Sequence, residues 1–269
     1  MKHRITFTII FFLIVSLASG HEFWLQTEKF RFSIGEEMKV DFMVGENFTG
    51  EFWDLTKHKV EKLDLYSSIL PVKSLLKDIK PTKGKNVSYK FENEGTHLFV
   101  LESNSAFIEM EAGKFNEYLK EDGMENILDL KKKSNELNKR SKEYYKRFAK
   151  LIVQSGSKTD ETFRKRIGLR YEIIPLTNPA LLKVGDYLEC RLFWDNIPAP
   201  HTMVKVWNHV GNKTFLQNIY SEDDGTIKFP ISSVGPWMVS AVKMIPSEKQ
   251  GADYQSLWAS LVFGVELTN

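Results

Sequence analysis

Histidines are the most informative titratable residues of this chain, and His21 is special by position. It sits in "SLASGHEFWLQ", directly after Ala18-Ser19-Gly20. Were the chain cut there, His21 would carry both an imidazole and a free α-amine. An α-amine titrates at about 7.7–8.0, against about 10.4 for lysine, so a metal ion can displace its proton near neutrality. The amine and Nδ1 of one residue then close a compact chelate. Nitrogen donors suit copper, nickel, cobalt and zinc rather than magnesium or calcium. Strand alternation in "HEFWL" puts His21, Phe23 and Leu25 on one face, so such a chelate would stand at the rim of an apolar core.

The other histidines rank below it. His97 falls inside "GTHLFVLE", on the same face as Phe99 and Leu101. A lone histidine on an apolar face is ordinarily a satisfied core residue, and His97 becomes a ligand only if it faces His21. His201 adjoins a proline turn and His209 ends a strand, so both read as surface-loop residues. His58, between Lys57 and Lys59, reads as solvent-exposed. No G-x-S-x-G, H-E-x-x-H, C-x-x-C or phosphate-cradling glycine loop occurs, so these residues offer no nucleophile motif. Cys190 is the only cysteine, which rules out an internal disulfide. It alternates with apolar residues in "DYLECRLFW" and reads as a buried structural thiol.

The front of the chain makes the cut plausible. Lys2, His3 and Arg4 form a basic start, and Ile5 to Leu17 is almost wholly apolar, too short to span a bilayer comfortably. Ala18-Ser19-Gly20 supplies the small residues a signal peptidase reads. Residues 1–20 are therefore expected to be a signal peptide, leaving a periplasmic or secreted protein that begins at His21. The net charge of +2 includes Lys2 and Arg4, so the mature chain is near neutral. That argues against a nucleic-acid binder, which would need a basic patch or stripe.

Three regions follow. Residues 21–112 read as a β domain: Met38, Val40 and Phe42 alternate with charged neighbours, and "NVSYKFENEGTHLFVLES" reads as two strands around Glu94-Gly95. The second is apolar on both faces, as a strand inside a sandwich would be. Residues 113–167 are lysine-rich; Tyr144, Phe148, Leu151 and Ile152 at helical spacing predict one or two helices followed by a polar loop. Lys131-Lys132-Lys133 reads as a solvated helical face. Residues 168–269 return to short strands punctuated by proline and glycine, the pattern of an immunoglobulin-like sandwich. Asp224-Gly225 is the clearest hairpin turn there. The fold expected is thus mainly β: an N-terminal sandwich-like domain, a helical segment and a C-terminal sandwich.

"HEFWLQTEKFRFSIGEEMKVDFMVGENFTGE", with "GTHLFVLE", "LRYEIIPLTNPALLKVGDYL" and "DDGTIKFPISSVGPWMVSAVKM", resembles a family of exported bacterial proteins. That family is a domain of unknown function, often described as a periplasmic component of cobalt or nickel transport. The resemblance runs over nearly the whole mature chain. It implies a C-terminal sandwich like those appended to carboxypeptidases, and metal ligation by His21 and His97 in the manner of a histidine brace. The function expected is non-enzymatic binding of a transition metal ion (nickel, cobalt or copper) in support of uptake or delivery, with a membrane metal transporter as partner. Two alternatives stand beside it. One is a metal-free carbohydrate-binding or adhesion module; the other is a copper-dependent oxidase, for which Trp24 and Trp53 would have to form a flat aromatic surface.

Overall fold

The computed structural model describes residues 20–81 and 84–266. The expected signal peptide therefore lies outside the described residues, apart from Gly20. Among the described residues, no helix is long and apolar enough to cross a membrane.

The first part of the chain forms β1 (Glu22–Gln26), β2 (Arg31–Phe32), β3 (Glu37–Glu46), β4 (Thr49–Phe52), β5 (Val60–Tyr66), β6 (Lys73–Ser74), β7 (Val87–Lys90), β8 (Gly95–Ser103) and β9 (Ala106–Met110). Two helices follow, α1 (Ala112–Glu121) and α2 (Glu125–Lys133), and then β10 (Ser141–Ser155). The remainder forms β11 (Tyr171–Pro175), β12 (Tyr187–Trp194), β13 (Ile197–Pro198), β14 (Met203–Val210), β15 (Lys213–Tyr220), β16 (Thr226–Pro230), β17 (Gly235–Pro246) and β18 (Tyr254–Val265). Half of the described residues are in strands and 12% in helices, 3₁₀ turns included, so the fold is mainly β.

The strands build three layers. A central ten-stranded sheet runs β15-β14-β17-β18-β10-β8-β5-β6, with β2 and β9 also paired to β10. A four-stranded sheet of β1, β3, β4 and β7 covers one face, and a second of β11, β12, β13 and β16 covers the other. Alternation along the central strands divides the core accordingly. Phe99, Leu101, Ala149, Leu151 and Val262 pack with Trp24, Phe42 and Val87 of the first outer sheet. Leu98, Val100, Phe148, Ile152 and Phe263 pack with Ile173, Cys190 and Phe229 of the second. The two expected sandwiches are present and share their middle sheet. The thiol of Cys190 is fully buried, which pushes its pKa well above the usual range.

The helical reading of residues 113–167 is corrected by β10. Helices α1 and α2 are there, but the run holding Tyr144, Phe148, Leu151 and Ile152 is a strand of 15 residues. It pairs in parallel with β18, from Glu143↔Tyr254 to Leu151↔Val262, and is covered on both faces. A strand buried on both sides needs no polar alternation, so its apolar positions imitate a helical stripe. Lys131, read as part of a solvated face, is 1% exposed. Its Nζ donates to Ser141 Oγ at 2.7 Å and stands over the rings of Phe115 and Tyr254. The expected hairpin at Asp224-Gly225 is also corrected, and the turn expected at Glu94-Gly95 joins strands of different sheets. The turn at Asp224-Gly225 joins β15, which pairs with β14, to β16, which pairs with β12 in another sheet. The bend at Glu94-Gly95 likewise carries the chain from β7, on β3, to β8 in the central sheet. Both turns form between strands; in both, the strands part to different layers.

One buried ion pair joins the central sheet to the second outer sheet. Lys150 Nζ, on β10, meets Glu172 Oε1 at 2.5 Å and Ile173 O at 3.2 Å. Glu172 also accepts from the backbone of Ile167 and Gly168, at 2.8 and 2.9 Å. Both side chains are almost wholly out of water.

Candidate metal centre and acidic cleft

His21 lies just before β1, whose pairing with β3 sets what it meets. Glu22 is opposite Gly45, and β3 turns into β4 through Asn47-Phe48. Both turn residues have positive φ, as a two-residue hairpin turn of the primed type requires. For phenylalanine that conformation is strained, and burial of its ring edge-on to Trp24, with centroids 5.5 Å apart, offsets the strain. Gly45 and Gly50 face each other across the hairpin; a Cβ on either would strike the opposing backbone. The result is that Glu46 Oε1 stands 3.6 Å from His21 Nε2, with both side chains about half exposed.

Beside this pair opens a cleft of about 360 Å³. Its carboxylates are Glu22, Glu46, Glu117, Glu121 and Asp122; its ammonium groups are Lys114 and Lys205. Acid outnumbers base, so the cleft favours a cation. Asp122, at the end of α1, is held by a bond from its backbone N–H to Tyr118 O. Lys205, on β14, donates to Asp122 and lies 3.7 Å from Glu22 Oε1. Burial drives the Glu22 carboxyl up to about 7 despite the opposing charge of Lys205. Burial also raises Asp122, again against Lys205. For Lys205 burial works against the charge, but Glu22 and Asp122 outweigh it and the pKa is raised.

The polar group continues inward from the cleft. Tyr118 stacks on Trp258 at 6.0 Å and donates to Glu143 Oε1 at 3.2 Å. Ser256 also donates to that oxygen, and Trp258 Nε1 donates to Ser256 at 3.1 Å. Glu143 Oε2 is buried without a partner, and desolvation pushes this carboxyl up to about 7. Arg147, with Nε buried and unpartnered, is stacked over Tyr145 and Phe23. Gly20 is tucked against Trp258, Asp122 and Tyr118, in a space that admits no side chain. Gly20 apart, none of these cleft and network residues stood out in the sequence, because no spacing links Glu22, Asp122, Glu143 and Lys205.

His97 is elsewhere. Its Nδ1 lies 3.1 Å from Gly95 O, and its ring packs against Phe91 and Tyr89, with centroids 4.9 and 5.9 Å away. Burial pulls its pKa down, favouring neutral imidazole. Tyr89 pairs with Met38, while His21 meets Glu46 at the far end of β3. Met38 and Glu46 lie eight residues apart on that strand, about 26 Å of extended chain. A brace joining His21 to His97 is therefore not formed, and His97 has the surroundings of a core histidine. His58, expected in solvent, is partly covered and stacks on Trp53 at 5.1 Å. His201 is in a surface turn facing Asp223 at 3.1 Å, and His209 closes β14 with Nδ1 2.9 Å from Thr214 Oγ1. Trp24 and Trp53 are 0% and 4% exposed, so neither offers a flat aromatic surface.

Among the described residues, no three His, Cys, Asp or Glu side chains form a ready metal cage. A metal at His21 would draw on a donor that is not a side chain, the α-amine released by cleavage. The donors fit that use. Glu46 faces Nε2, which leaves Nδ1 as the chelating nitrogen; a carboxylate on the far ring nitrogen is the usual orienting partner of a ligating histidine.

The model of a domain of unknown function, DUF4198, matches residues 18–244. The chain belongs to that family. The match takes in His21, His97 and every residue lining the cleft. No curated protein matches the chain. Among solved structures, it is similar to the D0-D1 domain of intimin at 11% identity, over 91% of this chain and 98% of that one, with a TM-score of 0.19. It is similar to a Salmonella α2-macroglobulin mutant at 9% identity, over 90% of this chain and 14% of that one, with a TM-score of 0.22. Three N-terminal domains of the outer capsid protein Hoc of bacteriophage RB49 match at 7% identity, over 91% and 59%, with a TM-score of 0.20.

Proposed function

We propose that this DUF4198 member is an exported protein that begins at His21 and binds a transition metal ion, nickel, cobalt or copper, at its mature N-terminus. The α-amine and Nδ1 of His21 are the chelating donors, Glu46 orients the imidazole, and carboxylates of the acidic cleft complete the charge. His97 takes no part. The observation that carries the reading is the position of His21 at the rim of a cleft rich in carboxylates, with Glu46 3.6 Å from Nε2. A metal ion can displace the proton of an α-amine near neutrality, and the surplus of carboxylate lowers the cost of holding a divalent charge.

A bound metal would supply no chemistry in this reading. It is cargo, taken up or passed on by a membrane transporter, and a half-exposed chelate suits exchange better than a closed cage. The test is calorimetric titration of the processed, chelator-stripped protein with nickel, cobalt and copper. Binding with one ion per chain is expected, together with its loss in His21→Ala and its retention in His97→Asn. Absence of heat with all three ions would end the proposal.

A further inference from the structure

The two ends of the central sheet are built differently. At one end, β6 is a two-residue strand that begins with Lys73, the short, charged form in which edge strands are normally protected. At the other end, β15 runs for eight residues, and its last seven, "TFLQNIY", carry no charge and no proline. Among the described residues it pairs only with β14. Phe215, Leu216 and Tyr220 are 57%, 46% and 55% exposed. An edge that is long and, beyond Lys213, uncharged, with apolar side chains exposed, is a template for an added strand.

What would be added follows from the side of β15 that faces the cleft. Leu216 and Asn218 line the cleft from β15, next to Lys205 and Trp207 of β14, and Glu117 and Glu121 of α1 form the opposite wall. A strand laid along the outer edge of β15 would sit about 4.8 Å further out, across the mouth of the cleft. Alternate side chains of that strand would project toward the excess carboxylates. Acidic side chains there would be repelled, whereas lysine or arginine would be drawn in.

We propose that β15 is a docking edge for an extended polypeptide segment of another protein, one that carries lysine or arginine at alternate positions and adds as a further strand over the acidic cleft. Backbone pairing supplies the register, and the cleft selects the basic side chains. This inference does not use the metal reading, and it is tested on chelator-stripped protein so that the two fail separately.

The probe is a fluorescent nine-residue peptide alternating lysine with valine, followed by anisotropy against the full processed chain. Saturable binding is expected. It should weaken at least tenfold when valine alternates with glutamate, in the protein variant Glu117→Lys/Glu121→Lys, and when the backbone amides of the lysine peptide are N-methylated. The methylated peptide keeps its charges and needs no protein variant, so it separates strand addition from plain attraction. Equal binding of the methylated and unmethylated peptides would overturn the proposal. So would the absence of peptide binding, with or without a chain that sediments as a dimer through self-paired β15.

Discussion

Two groups of buried charge in this molecule have opposite characters. Lys150 and Glu172, between the central sheet and one outer sheet, match one positive group with one negative group and leave few bonding positions open. Glu22, Asp122 and Glu143, with Lys205 and Arg147, have more acid than base, an unpartnered carboxylate oxygen and an opening to solvent. The first group closes on itself and has the form of a structural clasp. The second is left one cation short at the place where the mature amine and His21 are expected, and has the form of a site.

The largest effect is expected at the clasp. Lys150→Met leaves Glu172 buried without its counter-charge and should cost about 3–5 kcal/mol in urea unfolding, while metal titration stays unchanged. A cost below about 1 kcal/mol would mean that the pair is not the closed unit its bonds suggest.

Glu143→Gln sharpens the other side. The folded carboxyl titrates at about 7, raised by burial from an ordinary 4.5. Between those values the folded chain keeps a proton that the unfolded chain has released, so wild-type stability falls as pH rises through this window. Above about pH 7 the full cost of the buried carboxylate is present. The glutamine variant should therefore gain on wild type from pH 4.5 to 7, reaching about 3 kcal/mol. A pH-independent difference between the two chains in thermal unfolding would contradict the unbalanced character of the group.

The smallest stability effect and the clearest functional one belong together. His21→Ala, on an exposed residue, should change stability by no more than about 0.5 kcal/mol and abolish metal binding. His97→Ala, on a residue 1% exposed, should cost about 1–3 kcal/mol and leave metal binding intact. The reverse pattern would restore the brace that the strand geometry separates.

Much of this was legible in the sequence, for physical reasons that differ by element. The alternation of Phe99 and Leu101 with Leu98 and Val100 marked β8 as a strand covered on both faces. The same double coverage disguised β10, because a strand with no polar face loses the period that identifies it. Turn residues announced Gly95 and Gly225 correctly, yet a turn fixes a change of direction and not which sheet receives the next strand. His21 could be singled out because its significance is positional. Glu22, Asp122, Glu143 and Lys205 could not, since they come from β1, the end of α1, β10 and β14, and only the fold brings them together. The pairing of His21 with His97 failed at the same step: both residues were notable, and β3 holds their surroundings at its opposite ends.

The central claim, that the released amine of His21 is a metal donor, is tested most directly by adding one residue. The stripped chain beginning at His21 and a chain with a single methionine before it should be titrated with nickel, cobalt and copper side by side. The imidazole, Glu46 and the whole cleft are the same in both; only the amine has become an amide. A loss of affinity of at least a hundredfold in the extended chain is the result expected. Equal affinity in the two chains would contradict the chelate and leave the cleft carboxylates, without the N-terminus, as the donors.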